Sequence, residues 1–184
     1  MSRPKTISTE IVHQNPWWTY YRDKIILTNG QESEYYYGES RWLGGSMVIP
    51  VLDDGRILLT VQHRYPRDKQ SMEFPCGGMK ENEHASVCAE RELLEETGYR
   101  AEEMMKIGTF EGLNAVFKNA AHIFLATGLD KIQEVMIDPQ ECIEVVIRRV
   151  DEFEEMVERG EIWDGQTLAA WALAKNRVYK ILGE

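Results

Sequence analysis

Residues 77–99, GGMKENEHASVCAERELLEETGY, constrain this chain more than any other stretch. From Glu83 to Thr97 they are mostly strong helix formers without proline or interior glycine. Gly98 follows where a left-handed terminal residue commonly ends a helix. On such a helix Glu92, Glu95 and Glu96 fall within an arc of about 100°, because residues three and four apart are neighbours. Three carboxylates on one face repel one another and weaken the helix unless something positive compensates. One solution is a solvated face in which Arg91 and other basic residues balance the charge. The other is a bound cation, and hard oxygen donors select Mg²⁺, Mn²⁺ or Ca²⁺, with Mg²⁺ commonly shared between carboxylates, waters and phosphate oxygens.

Composition narrows the partners. Thirty-one acidic against 21 basic residues give a net charge of −10, so general nucleic-acid binding is disfavoured. Cys76, Cys88 and Cys142 are odd in number and have no C-x-x-C spacing, which argues against a disulfide framework or zinc knuckle and fits a reducing compartment. His63, His84 and His122 have no H-x-x-x-H arrangement and are read as non-metal residues. No apolar run reaches signal-peptide or membrane-span length, so the expectation is a cytoplasmic protein with no membrane partner.

Strand and turn signals fill the first third. Residues 24–28 and 34–37 flank Asn29-Gly30, a hairpin composition, and residues 46–52 and 56–62 flank Asp53-Asp54-Gly55. Both pairs are expected to be antiparallel within a continuing sheet. Residues 105–110, 122–126 and 143–147 read as short strands, and residues 150–159 and 166–181 as helices. Residues 1–18 read as an arm. The dense aromatic group at its end and just beyond, Trp17, Trp18, Tyr20 and Tyr21, suits core packing, a subunit contact or stacking on a nucleobase.

Gly77, Glu83, Arg91, Glu92, Glu95, Glu96 and Gly98, with apolar Leu93 and Tyr99, reproduce the Nudix box G-x5-E-x7-R-E-U-x-E-E-x-G-U, where U is apolar. The chain therefore resembles the Nudix hydrolases. QHRYP at 62–66, MEFPCGG at 72–78 and GEIWDGQTLAAWALA at 160–174 are similar to the ADP-ribose pyrophosphatase branch, which handles nucleoside diphosphate sugars. The resemblance implies an α/β class fold, an α/β/α sandwich with a mixed central sheet and additional N-terminal antiparallel strands. Residues 1–40 would form the N-terminal arm and strands at a homodimer contact, and residues 41–184 the Nudix hydrolase domain.

It also implies residue roles. Glu92 and Glu96 would be metal ligands, Glu95 a ligand or orienting carboxylate, and the main-chain carbonyl of Cys76 a further ligand, with Mg²⁺ as cofactor and Mn²⁺ as the alternative. Arg91 and Glu83 would support the carboxylate cluster, Arg91 counting with Glu95 in the catalytic set. The proton acceptor for water would be Glu141 or Glu144, two residues close enough to exchange roles. Arg64, Glu73 and Trp18 would belong to the substrate site. A strand-end salt bridge is the other reading for Arg64 and Glu73.

The expected reaction is metal-dependent cleavage of ADP-ribose or a related nucleoside diphosphate sugar to a nucleoside monophosphate and a sugar phosphate. Nucleoside triphosphates, dinucleoside polyphosphates or capped nucleic acid are the alternative substrates, and a non-catalytic nucleotide-binding module the third reading. One segment departs from the branch: residues 111–126, EGLNAVFKNAAHIFLA, lack the proline of its S-P-G-like loop.

Overall fold

A computed structural model describes residues 2–42, 44–134 and 143–183. In chain order its elements are β1 (Lys5–Gln14), β2 (Trp18–Ile26), β3 (Glu32–Ser40), β4 (Gly45–Pro50), β5 (Ile57–Arg64), β6 (Lys69–Glu73), β7 (Cys76–Gly78), α1 (Ala85–Thr97), β8 (Tyr99–Glu111), β9 (Phe117–Lys118), β10 (Ala120–Lys131), β11 (Glu144–Arg148), α2 (Val150–Glu158) and α3 (Gly165–Leu182).

The N-terminal sheet has the order β1-β2-β3-β9, antiparallel except for the short β3–β9 pair. The turn between β2 and β3 forms at the Asn29-Gly30 pair: Gly30 takes a φ of 88°, and the Asn29 side chain accepts from the Gln31 amide at 3.0 Å. Residues 5–14 are not a loose arm but a strand paired with β2 along its length. Every residue of β1 is exposed, so neither face imposes the alternation by which a strand is read from sequence.

The central sheet, order β7-β4-β10-β8, is mixed, since β4 and β10 run parallel and the outer pairs antiparallel. Side-chain alternation along β4 and β10 gives it two apolar faces. Met47, Ile49, Ile123 and Leu125 pack with Phe74, Phe153, Trp171 and Ala174 on the side of α2 and α3. Val48, Phe124 and Ala126 pack with Ala85, Ala89 and Leu93 of α1 on the other. These side chains are all but fully buried, each worth about 1.5–3 kcal/mol of transfer free energy for the larger ones. The α/β/α sandwich is therefore present.

The Asp53–Gly55 turn departs from the sequence reading. It closes through the Leu52 amide on the Arg56 carbonyl at 2.8 Å and a single Val51–Ile57 bridge, after which the two strands separate. β4 stays in the central sheet, while β5 pairs with β11 and β6 in a third, antiparallel sheet. Residues 46–50 of β4 and 57–60 of β5 are buried, and each strand completes its hydrogen bonding with partners distant in sequence. No helix among the described residues is long and apolar enough to cross a membrane.

Candidate active site

Helix α1 starts at His84, whose ring nitrogen accepts from the Ser86 amide, and stops at Gly98 with φ 77° and its amide on the Leu94 carbonyl at 2.9 Å. Its buried stripe comprises Ala85, Cys88, Ala89, Glu92, Leu93, Glu96 and Thr97. Two glutamates thus occupy inward-facing helical positions, which is costly for carboxylates unless polar partners receive them. Glu95 lies at the rim, its side chain 41% exposed.

The partner surface is β7, aligned on β4 through Met47–Cys76, Ser46–Gly77 and Gly45–Gly78. The Ser46 hydroxyl donates to the Ala85 carbonyl at 2.7 Å and fixes the start of α1 on the same strand. The Cys76 amide donates to Glu96 Oε2 at 3.2 Å. A Cβ on Gly77 would fall on the Glu92 carboxylate, so only glycine lets that group lie on the strand backbone.

Arg91 ties the parts together. Its Nε and Nη2 donate to the two oxygens of Glu83 at 2.9 and 3.0 Å, Nη2 also to the Gly78 carbonyl at 3.0 Å, and Nη1 to Glu92 Oε1 at 2.5 Å and Glu95 Oε2 at 3.0 Å. Its planar fork is suited to this division of bonds. The hydrogen bond from Arg91 holds the Glu83 carboxyl down at about 2, and the carboxylates raise the guanidinium well above its ordinary value.

Arg64 and Glu73 lie together. The Arg64 fork grips Glu73 through Nε–Oε1 at 2.7 Å and a second bond from Nη2 to Oε2. Glu73 is 2% exposed, whereas the Arg64 side chain is 40% exposed. Burial pushes the Cys76 thiol up, the nearby Glu96 and Glu73 carboxylates push it further, and Arg64 opposes them. Such a thiol is a poor nucleophile, as is Cys88, also raised by burial. The same electrostatic couplings put Arg64, Glu73, Cys76, Glu96 and the α3 cap Asp164 in one neighbourhood.

Other expected residues stand apart from this cluster or lie outside the described residues. Trp18 packs edge-on against Phe117 at 5.1 Å in the N-terminal sheet. Glu144 opens β11, exposed and opposite Val61. Glu141 and Cys142 lie outside the described residues. Sequence reasoning passed over Trp42, whose indole lies over Gly78 so closely that a Cβ there would meet it at 2.7 Å. Its signal was weak, one tryptophan beside a glycine pair without periodicity. Asp164, which caps α3 by accepting from the Thr167 amide at 2.7 Å, was also missed as a neighbour of Arg64.

The donor set fits a hard divalent cation: carboxylate oxygens from adjacent helical turns beside a backbone strand whose glycine leaves room for them. Among the described residues no three acidic, histidine or cysteine side chains already converge in metal-holding geometry. Instead the Arg91 guanidinium bridges Glu92 and Glu95, putting a positive charge between carboxylates that would otherwise repel. A surface depression of about 630 Å³ lined by Arg56, Arg149, Asp151 and Tyr179 shares no residue with this site. Charge and backbone geometry, more than concavity, mark the site.

Known proteins resemble this chain over most of its length. The NUDIX domain model matches residues 43–171, and that of the nucleoside diphosphate sugar hydrolase N-terminal domain matches residues 4–37. An ADP-ribose pyrophosphatase of Bacillus subtilis (strain 168) is 30% identical over 167 residues, 90% of this chain and 89% of that protein. A GDP-mannose pyrophosphatase of Yersinia enterocolitica is 28% identical over 178 residues, 89% of this chain and 91% of its own. A crystal structure of an ADP compounds hydrolase shares the fold, with a TM-score of 0.86 at 19% identity, covering 98% of this chain and 96% of the other.

Proposed function

The chain belongs to the NUDIX family and is a Nudix hydrolase, and from that premise we propose that it cleaves the diphosphate linkage of a nucleoside diphosphate sugar, ADP-ribose included, to a nucleoside monophosphate and a sugar phosphate. The observation that carries the reading is the burial of Glu92 and Glu96 on one helix stripe against the Cys76–Gly78 strand. Carboxylates are placed inward at such cost when they hold a cation that a phosphate ester also needs.

Nudix hydrolases generally use a divalent metal. Glu92 and Glu96, with Glu95 and the Cys76 carbonyl, are the residues to hold it, and Mg²⁺ or Mn²⁺ suits their hard oxygens. Bound there, the ion supplies a Lewis acid that neutralises charge on the phosphate oxygens and makes water a better nucleophile. The protein does the rest. Arg91 and Glu83 hold α1 on the Gly78 backbone so that the carboxylates keep their positions. Glu141 or Glu144 takes the proton from the attacking water. Arg64, oriented by buried Glu73, turns a half-exposed guanidinium to the phosphates. Trp18 offers the nucleobase an aromatic surface.

The protein is proposed to work in the cytoplasm as a homodimer. The exposed apolar side chains of the N-terminal sheet, among them Ile7, Ile11 and Tyr36, support the dimer. The test of the function is phosphate chemistry on a panel of ADP-ribose, GDP-mannose, ATP and a dinucleoside polyphosphate, with Mg²⁺, Mn²⁺ or chelator. Turnover of the sugar substrates that stops with chelator is expected. Turnover confined to the triphosphate or the dinucleotide would overturn the reading.

A further inference from the structure

We propose that Glu154 is a positioning residue: through Trp171 and Phe74, its carboxylate sets how the metal-holding half of the site stands against the half that meets phosphate and takes the proton. This rests on the reading that Glu92 and Glu96 hold the cation while Arg64 and Glu144 act on the substrate.

The two halves belong to different sheets. Cys76 and its neighbours under α1 are in the central sheet, whereas Arg64 on β5, Glu73 on β6 and Glu144 on β11 are in the third. Between β6 and β7 the chain crosses from one sheet to the other in two residues, Phe74 and Pro75. Each end of the crossing is tied down. The Thr60 hydroxyl donates to the Glu73 carbonyl at 3.3 Å on the third sheet, and the Val48 amide to the Pro75 carbonyl at 2.9 Å on the central one. Between these ties lies the fully buried Phe74 ring, 5.5 Å from Phe153 of α2 and 6.3 Å from Trp171 of α3, which meet each other edge-on at 5.1 Å. A close-packed interior passes the displacement of one ring to the next, so the pose of Trp171 bears on the crossing.

The two helices are attached to different sheets. α2 continues β11 after the single residue Arg149, while α3 lies against β4 and β8, with the Leu173 side chain over Gly108. Glu154 joins them. Trp171 Nε1 donates to its Oε1 at 3.1 Å, Lys175 Nζ to the same oxygen at 2.6 Å, and the Tyr179 hydroxyl to Oε2 at 2.8 Å. The three donors are four residues apart and form one stripe of α3. Burial pushes the Glu154 carboxyl up, but the bonds from Lys175, Tyr179 and Trp171 outweigh it and hold the group below its ordinary value.

A ring held by stacking alone can slide and turn in its plane, and a hydrogen bond from the indole N–H to a charged acceptor removes that freedom. Apolar residues in place of such an ionic hub often give equal stability. What the carboxylate adds here is one geometry of α2, α3 and the crossing between the sheets.

The experiment compares the full chain with Glu154→Gln, Trp171→Phe and, as a control, Val178→Ala, which truncates an apolar residue of α3 in the same core. All are assayed well below their unfolding transitions, with ADP-ribose and Mn²⁺ in steady-state kinetics and Mn²⁺ affinity by electron paramagnetic resonance. In Glu154→Gln and Trp171→Phe, kcat/KM is expected to fall about 10- to 100-fold, the effect of a misplacement of about 1 Å. Mn²⁺ affinity should keep the wild-type value, because Cys76 stays paired with Met47 of β4. Val178→Ala should keep the wild-type kcat/KM, and Trp171→Phe decides the matter if Glu154→Gln does not fold. Unchanged kcat/KM in the folded variants overturns the proposal, and so does an equal fall in Val178→Ala, which would reduce the role to stability. Mn²⁺ affinity that falls in step with activity overturns it as well, since the metal half would then be damaged by itself. A wild-type chain inactive on both ADP-ribose and GDP-mannose overturns instead the reading beneath it.

Discussion

The Glu92 carboxylate lies on the backbone of Gly77, in the space that the side chain of any other residue at 77 would fill. A helix residue and a strand residue 15 positions apart thus share one volume, and each explains the other. Glycine is needed because the carboxylate is there, and the carboxylate stays inward because the glycine admits it.

Gly77→Ala should therefore displace Glu92 with little damage elsewhere. The stability cost expected from overpacking is about 1–3 kcal/mol. Mn²⁺ affinity, followed by electron paramagnetic resonance, should fall about tenfold or more, as for other disturbances of ligand orientation. Unchanged Mn²⁺ binding in a folded variant would contradict the assignment of Glu92 as a ligand.

Glu96→Gln preserves shape and the hydrogen bond that a carbonyl oxygen can accept from the Cys76 amide. Thermal unfolding should stay within a few degrees of wild type, while kcat falls more than about 100-fold because a charged ligand is lost. Near wild-type turnover would remove Glu96 from the metal site.

Acid sensitivity follows from Glu83. Its carboxyl titrates at about 2 in the folded chain because Arg91 hydrogen-bonds it, against an ordinary 4.5. A depressed carboxylate contributes stability in full above its unfolded value and loses it as pH falls through the folded one. The contribution should be complete above pH 4.5 and disappear toward pH 2. Glu83→Gln should lower stability at pH 7 and flatten the decline over that window, as measured by denaturant unfolding at a series of pH values. Parallel curves for the two proteins would show that Glu83 is not the group responsible.

Arg64→Ala should leave Glu73 buried without its guanidinium. Because Arg64 is itself 40% exposed, the loss should be smaller than for a fully buried pair, about 1–3 kcal/mol. If Arg64 also contacts phosphate, KM for the diphosphate substrate rises beyond what Glu73→Gln produces. Equal kinetic effects from the two substitutions would make the pair purely structural.

Local pattern carried much of this fold. The α1 helix, its Gly98 stop, the Asn29-Gly30 turn and the β4 strand are where the sequence reading put them, because capping, turn chemistry and burial act over a few residues, while the strand expected over 122–126 is only the buried middle of the twelve-residue β10. β1 escaped it because no core faces that strand, and β6 and β7 because five- and three-residue strands have almost no period to read. The divergence of β4 and β5 after a good turn sequence was equally hidden, since their partners β10, β11 and β6 are chosen at long range.

The amino-acid order alone determined that carboxylates gather on one helical face with an arginine beside them, since helix geometry converts spacing into direction. Only the tertiary structure decided that Glu92 and Glu96 turn inward while Glu95 stays at the rim, that Arg64 spends its fork on Glu73, and that Trp42 covers Gly78. Those outcomes depend on which backbone packs against the helix and on what space it leaves. Such facts arise between residues far apart in the chain, where spacing carries no information.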